Sequence, residues 1–205
     1  MDMEKKVAQA LLSIGAVSFP KDMITFKSGI KSPVYIDNRK FPFHPKEWKD
    51  VIESFAEVIK KKDLKVDVVA GVEAAGIPHS SALSFLLEIP SVFVRKQAKD
   101  HGTKKMVEGG DVADKKVLLI EDVVSAGHSS LAGVTSLRAE GAIVEDCLVI
   151  LSYGFSESRE GFEKANVRLH TLTSFPVILE EAKKQGILEG DKLKTVEDWV
   201  KQYTS

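Results

Sequence analysis

The segment Val117-Leu-Leu-Ile-Glu-Asp-Val-Val-Ser-Ala-Gly-His-Ser-Ser130 constrains the chain more than any other. Its first four residues, Val117 to Ile120, are apolar, the pattern of a strand buried on both faces. Two acids follow at once, Glu121 and Asp122, and adjacent acids are an odd way to end a core strand. A turn of small residues, Ser125-Ala126-Gly127-His128-Ser129, then opens into a helix-like run. This order delivers two carboxylates beside a helix N-terminus. Backbone N–H groups, hydroxyls and the helix dipole at such a turn favour a phosphate. The carboxylates can accept hydrogen bonds from ribose hydroxyls. The segment therefore suits a sugar phosphate, the alternative being a core strand that ends in an exposed polar turn.

Composition narrows the class. The 205 residues are enough for one substantial core, and 43% hydrophobic with 29% charged residues is ordinary for a globular chain. A formal net charge of -1 gives no basic field for nucleic acid. No apolar run approaches the length of a membrane span. Lys5-Lys6 followed by Val7-Ala-Gln-Ala-Leu-Leu-Ser-Ile14 faintly mimics a signal peptide. Its apolar residues fall at helical spacing, so an amphipathic helix is the better reading, and a cytoplasmic protein is expected. The one cysteine, Cys147, lies in an apolar run and reads as a buried thiol.

The pattern predicts helices over 3–14, 46–61, 77–87, 129–140, 176–185 and 195–203. It predicts strands over Val66–Ala70, Ser91–Val94, Val117–Ile120, Ile143–Leu151 and Val167–Thr171. Alternation from about residue 46 implies βαβ units, hence an α/β fold with a mainly parallel sheet flanked by helices. One domain is expected over 1–205. Its core is about 46–153, and segments 1–45 and 154–205 lie outside the repeating pattern as a candidate cap. In such sheets ligands bind beyond the carboxyl ends of the strands.

Four other segments carry chemistry. Gly71-Val-Glu-Ala-Ala-Gly-Ile-Pro78 has small residues that let backbone amides approach an anion, and Gly76 can open the next helix. A plain tight turn is the alternative. Glu73 is out of place beside an anion, and a contact to metal-bound water or a backbone amide is expected of it. Arg95-Lys-Gln-Ala-Lys-Asp-His-Gly-Thr-Lys-Lys105 concentrates cations after a strand end, which suits a polyanionic leaving group or simply a solvated loop. Ile24 to Arg39, with turns at Ser28-Gly29 and Ser32-Pro33 and a short strand candidate Val34–Asp37, reads as a hairpin with exposed cations. Within it Lys27 can pair with a carboxylate or remain a surface lysine. Finally, Tyr153 and Phe155, after the strand 143–151, can flank a planar base or belong to the core.

Glu121 to Gly127 resembles the phosphoribosyl-pyrophosphate (PRPP) signature of type I phosphoribosyltransferases. Phe26-Lys-Ser-Gly-Ile-Lys-Ser-Pro-Val-Tyr-Ile-Asp37 resembles the N-terminal base-binding motif of the orotate phosphoribosyltransferases. Arg95-Lys-Gln-Ala-Lys-Asp-His-Gly102 resembles that family's mobile catalytic loop. Together these resemblances cover most of the chain. They imply the type I phosphoribosyltransferase fold with a hood formed by the N- and C-terminal segments. They imply the reaction of PRPP with orotate to give orotidine 5′-monophosphate and pyrophosphate, in pyrimidine biosynthesis. Mg²⁺ is implied as cofactor, held mainly by PRPP with no assigned protein ligand. A homodimer is implied, in which each basic loop closes over the other subunit's site.

The same resemblance implies roles residue by residue. Lys96, Lys99, His101 and Asp122 are the implied catalytic residues. Lys27, Tyr35, Ile36 and Ser125 are implied to meet orotate. PRPP is implied to contact Lys27, Arg95, Lys96, Lys99, His101, Glu121 and Asp122. Its 5′-phosphate falls to Ser125, Ala126, Gly127, His128 and Ser129, and its pyrophosphate also to Glu73, Ala74, Ala75 and Gly76. Two features depart from the family. An Asp-Arg pair common after the strand at 143–151 is replaced by Ser152-Tyr153-Gly154, with no arginine there before Arg159, and His128 is bulkier than usual. Either this branch recognises orotate without that arginine or the base differs. The remaining alternatives are a phosphoribosyltransferase for another base and a PRPP-sensing regulator without catalysis. A regulator would not need Lys96, Lys99 and His101 together.

Overall fold

Strands that are apolar on both faces force a sheet covered by helices on both sides. The computed structural model describes residues 2–26, 29–97 and 105–204. The chain opens with α1 (Met3–Ser13) and four two-residue strands, β1 (Val17–Ser18), β2 (Ile24–Thr25), β3 (Lys31–Ser32) and β4 (Tyr35–Ile36). A 3₁₀ helix, Asn38–Phe43, leads into α2 (Pro45–Lys61). Then come β5 (Val68–Val72), α3 (Gly76–Leu87), β6 (Ser91–Val94), β7 (Val107–Glu108) and β8 (Lys116–Val124). The rest is α4 (His128–Ala139), β9 (Ile143–Ser152), α5 (Ser156–Lys164), β10 (Arg168–Ser174), α6 (Phe175–Lys184) and α7 (Gly190–Thr204). Six strands form one sheet in the order β10-β9-β8-β5-β6-β7. All neighbours are parallel except β7, which runs antiparallel to β6.

Strand alternation divides the core. Val69, Leu118, Ile120, Leu148 and Ile150 face one way and pack with residues of α1, α2, α3, α6 and α7. Val68, Ala70, Val72, Leu119, Cys147 and Val149 face the other way and pack with residues of α4 and α5. Cys147 is buried and free. The two chain ends meet on the first side. α1 packs on α6 and β10, and Gln9 Nε2 donates to Glu181 Oε2 at 2.8 Å. At the other end, Trp199 Nε1 of α7 donates to the Lys31 carbonyl at 2.7 Å, tying that helix to the β2–β3 hairpin.

The mainly parallel α/β sheet expected from the pattern is present, and several boundaries move. β8 does not stop at Ile120 but continues through both acids to Val124, because Glu121, Val123 and Val124 keep register with Val149, Leu151 and Ser152 of β9. β5 starts two residues later than expected and runs to Val72. Asp67 instead turns to Lys116, donating its N–H to that carbonyl and accepting from that amide through Oδ2. β10 and α7 are longer than their apolar patterns. Helix α5 was not expected, since among its residues only Ser158 and Phe162 are buried and it shows no apolar stripe. The 3₁₀ helix and β7 are too short to leave a periodic signal.

One glycine fixes how β5 delivers its loop. A Cβ on Gly76 would stand 2.5 Å from the Ile120 carbonyl oxygen, so only glycine lets α3 start against β8. Gly76→Ala is expected to cost about 1–3 kcal/mol, the range for overpacking against atoms that cannot move aside. Urea unfolding checks this, and an unchanged midpoint with an unchanged slope would show that the two backbones separate at no cost.

Candidate active site

The carboxyl ends of β5, β6 and β8 lie side by side, and their loops converge on a cleft of about 380 Å³. It is lined by Ile24, Thr25, Phe26, Tyr35, Ile36, Asp37, Arg39, Ala75, Lys96, Glu121, Asp122, Val123, Ser125, Ser129 and Tyr153. A smaller cavity of about 100 Å³ adjoins it, lined by Val123 and Ser125 to Ser130. The two share Val123, Ser125 and Ser129. A ligand with a phosphate on a sugar can thus place one end in each.

Glu121 and Asp122 lie near the end of β8, before that smaller cavity. Glu121 is buried, at 4% exposed, and Asp122 is half-buried. The Asp122 N–H donates to Glu121 Oε1 at 3.2 Å. Asn38 Nδ2 donates to the Asp122 carbonyl at 2.8 Å, which fastens the 3₁₀ helix to β8. Burial pushes the Glu121 carboxyl well above the usual range, and the neighbouring Asp122 charge pushes it further. Burial raises Asp122 as well. The cations of Lys96, near Glu121, and Arg39, near Asp122, act in the opposite direction.

The turn after β8 opens directly into α4. Gly127 takes φ +86°, a conformation that L side chains rarely adopt, and α4 begins at the next residue. The hydroxyl-bearing Ser125 and Ser129 sit where the two cavities join. His128 leans away to α5, its Nε2 lying 2.9 Å from Glu157 Oε1. Its bulk is therefore accommodated beside the turn rather than across it.

The second loop places its residues differently. Ala75 lines the cleft, Gly76 is packed against β8, and Ala74 is exposed. Glu73 Oε2 accepts from the Lys96 backbone N–H at 2.9 Å, so this acid joins the loop after β5 to the one after β6. Lys96 lines the cleft. Arg95 is turned to Glu108, with 3.9 Å between Nη1 and Oε1, and to the Gln97 carbonyl. Lys27, Lys99 and His101 lie outside the described residues.

The far wall is aromatic and comes from the chain's N-terminal part. Tyr35 and Ile36 line it with Phe26, whose ring centroid is 5.4 Å from that of Tyr153. Tyr153 answers both readings of it, for it borders the cleft and is also packed among Phe155, Phe175 and Trp199. Sequence reasoning missed Arg39 and Asp37. Arg39 Nε donates to Asp37 Oδ1 at 2.6 Å, and Nη2 donates to Asp37 Oδ2 at 3.0 Å and to the Tyr35 hydroxyl at 2.9 Å. The signal available was Asp37 two residues before Arg39, an acid placed to cap the helix start, and here its Oδ1 accepts from the Arg39 N–H at 3.3 Å.

Among the described residues no three His, Cys, Asp or Glu side chains are grouped to cage a metal. Asp37, Glu121 and Asp122 are nevertheless hard oxygen donors lining the cleft. Mg²⁺ takes one or two such carboxylates together with phosphate oxygens and water, so this donor set fits it.

Comparison with known proteins agrees with this geometry. Residues 43–170 match the family model described as phosphoribosyl transferase domain. An orotate phosphoribosyltransferase of Listeria monocytogenes serotype 4b is 41% identical over 202 residues, covering 98% of this chain and 97% of that relative. One from Staphylococcus epidermidis is 36% identical over 198 residues, covering 96% and 98%. The crystal structure of orotate phosphoribosyltransferase from Aeropyrum pernix superposes with a TM-score of 0.76 at 29% identity, covering 87% of this chain and 98% of the other. Leishmania donovani UMP synthase superposes with a TM-score of 0.86 at 25% identity, where 98% of this chain spans 42% of that longer one.

The raised carboxyl of Glu121 has a consequence for stability. Its proton is held more tightly in the folded than in the unfolded chain, so it opposes folding increasingly as pH rises above the ordinary value of 4.5. Glu121→Gln keeps the oxygen that accepts from Asp122 and removes the charge. The variant is expected to melt higher than the parent at neutral pH, with the gain vanishing as pH falls below 4.5. Thermal melts across that range check it, and a gain that persisted in acid would assign the effect to packing instead.

Proposed function

The chain belongs to the orotate phosphoribosyltransferase family of the phosphoribosyltransferases, and on that premise we propose that its cleft moves the 5-phosphoribosyl group from PRPP to orotate. The products are orotidine 5′-monophosphate and pyrophosphate, a step of pyrimidine biosynthesis. The observation that carries the reading is the junction of the two cavities at Ser125 and Ser129, directly beyond the paired acids. The 5′-phosphate fits the turn at 125–129, where N–H groups of the helix start face it. Glu121 and Asp122 accept from the ribose hydroxyls. Their negative charge also favours the positive charge that grows on the sugar as its C1′–O bond breaks.

The departing pyrophosphate lies toward Ala75 and Lys96, with Arg95, Lys99 and His101 as further cations of the basic loop. Mg²⁺ would be held mainly by PRPP oxygens, with Asp122 and Glu121 as carboxylates available to it, and would neutralise charge on the leaving group. Orotate lies against Tyr35, Ile36, Phe26 and Tyr153, which hold a planar ring between apolar faces. Closure of the basic loop keeps water, the competing nucleophile, from C1′.

A homodimer completes this reading. Phe85 is 87% exposed and Phe43 86%, and Trp48, Ile52, Ala82, Phe85 and Leu86 line one apolar groove between α2 and α3. Apolar surface of this kind is costly in water and marks a contact face. A second copy is the proposed occupant, since α3 leads straight into β6, whose end carries the basic loop. Among the described residues no helix is long and apolar enough to cross a membrane. The cytoplasm, where PRPP and its base are made, is the proposed compartment.

Purified protein with PRPP and Mg²⁺ is expected to consume orotate, followed by its ultraviolet absorbance, and to leave uracil, hypoxanthine and adenine unchanged. Turnover of one of those bases without orotate would overturn the substrate and leave the reaction type. Shared sites have their own check. Lys99→Ala and Asp122→Asn are each expected to be nearly inactive, and subunit exchange between them should restore part of the activity. A mixed dimer then has one site with both lesions and one with neither. No recovery despite proven exchange would show that each loop serves its own subunit.

A further inference from the structure

A base that carries a carboxylate must be met by a cation, because the cleft already holds Asp37, Glu121 and Asp122. Two cations line it among the described residues, Lys96 and Arg39. They are on different sides. Lys96 follows β6, takes its backbone position from Glu73 and acts on Glu121, on the side proposed for pyrophosphate. Arg39 follows β4 and is bonded to Tyr35, on the wall proposed for the base. The strand β9 contributes no arginine at its end, where the chain reads Ser152-Tyr153-Gly154. Ser152 Oγ there accepts from the Gly154 N–H, and Tyr153 is packed among aromatic rings.

We propose that Arg39 is the residue that binds the carboxylate of the base and so selects orotate over bases that lack it. The inference rests on the reading of the cleft given above. Its geometry is specific. Asp37 grips one edge of the guanidinium through Nε and Nη2 at 2.6 and 3.0 Å. That grip fixes the plane of a side chain that is itself 61% exposed. Nη1 has no hydrogen-bond partner among the described residues and keeps two donors for a ligand. The Tyr35 hydroxyl accepts from Nη2, so its own proton remains available to donate. A planar carboxylate can therefore take hydrogen bonds from Nη1 and from Tyr35 together, while the fork of the guanidinium stays on Asp37, an anchorage that the single ammonium of lysine does not reproduce. Asp37 is a positioning residue in this arrangement.

Two product nucleotides provide the test, since orotidine 5′-monophosphate has the carboxylate and uridine 5′-monophosphate does not. Their affinities for the parent, Arg39→Ala, Arg39→Lys and Asp37→Asn are measured by calorimetry, alongside KM for orotate and for PRPP. In Arg39→Ala the orotidine nucleotide should bind about tenfold to a hundredfold more weakly, as expected for a lost charge-assisted bond. The KM for orotate should rise in step, while the uridine nucleotide and PRPP, which feel Arg39 only through the charge it lends Asp122, should weaken by clearly less. Arg39→Lys keeps the charge without the fork and should fall between the two. Asp37→Asn should narrow the preference for the orotidine nucleotide over the uridine one. Equal weakening of both nucleotides, or no change in either, would overturn the proposal. A parent protein that ignores orotate refutes the functional reading itself. A parent that uses orotate beside an unimpaired Arg39→Ala refutes the role of Arg39 alone.

Discussion

Two carboxylates held side by side within a central strand are the constraint to which the rest of the molecule answers. Glu121 and Asp122 are adjacent and fixed in place, because β8 keeps register with β9 at Glu121 and again at Val123, on either side of Asp122. Burial and mutual repulsion oppose their charges. The compensations come from distant parts of the chain. Asn38 holds the Asp122 carbonyl, while Lys96 supplies positive charge to Glu121 and Arg39 to Asp122. Such an arrangement is poor for stability and good for a ligand that brings hydroxyl donors and a growing positive charge.

Sheet topology does the gathering. β5, β6 and β8 are parallel neighbours, so the segments that leave their carboxyl ends are brought together although they are 20 or more residues apart in sequence. Glu73 then bonds the first of these segments to the second, and Gly76 lets the first lie against β8. An acid that has no evident place beside pyrophosphate is explained by this link, since its partner is the Lys96 amide.

The other wall depends on the chain ends. Phe26, Tyr153, Phe155, Phe175, Trp199 and Tyr203 pack ring against ring, with centroids 5.1 to 6.5 Å apart. Trp199 also holds the Lys31 carbonyl. The β2–β3 hairpin, which leads directly into the segment carrying Tyr35, Asp37 and Arg39, is thereby braced by a helix more than 150 residues away in sequence. The aromatic wall of the cleft and the packing of the C-terminal helix are in this way one structural matter.

By itself the sequence determined the alternating helices and strands, the parallel sheet, the small-residue turn at 125–129 and the acidic pair. Each of these is a local pattern, set by hydrophobic period, by the conformational freedom of glycine, or by residue order along a few neighbouring positions. Helix α5 stayed hidden because two buried side chains make no stripe. The tertiary structure alone decided that the acids lie inside β8, that Glu73 serves a backbone amide, that His128 leans to Glu157, and that Arg39 lines the same cleft as the acids. Those outcomes turn on strand register and on contacts between remote segments. Side-chain hydrogen bonds formed across such distances have no signature in the order of residues, since they exist only once the sheet has brought their partners within reach.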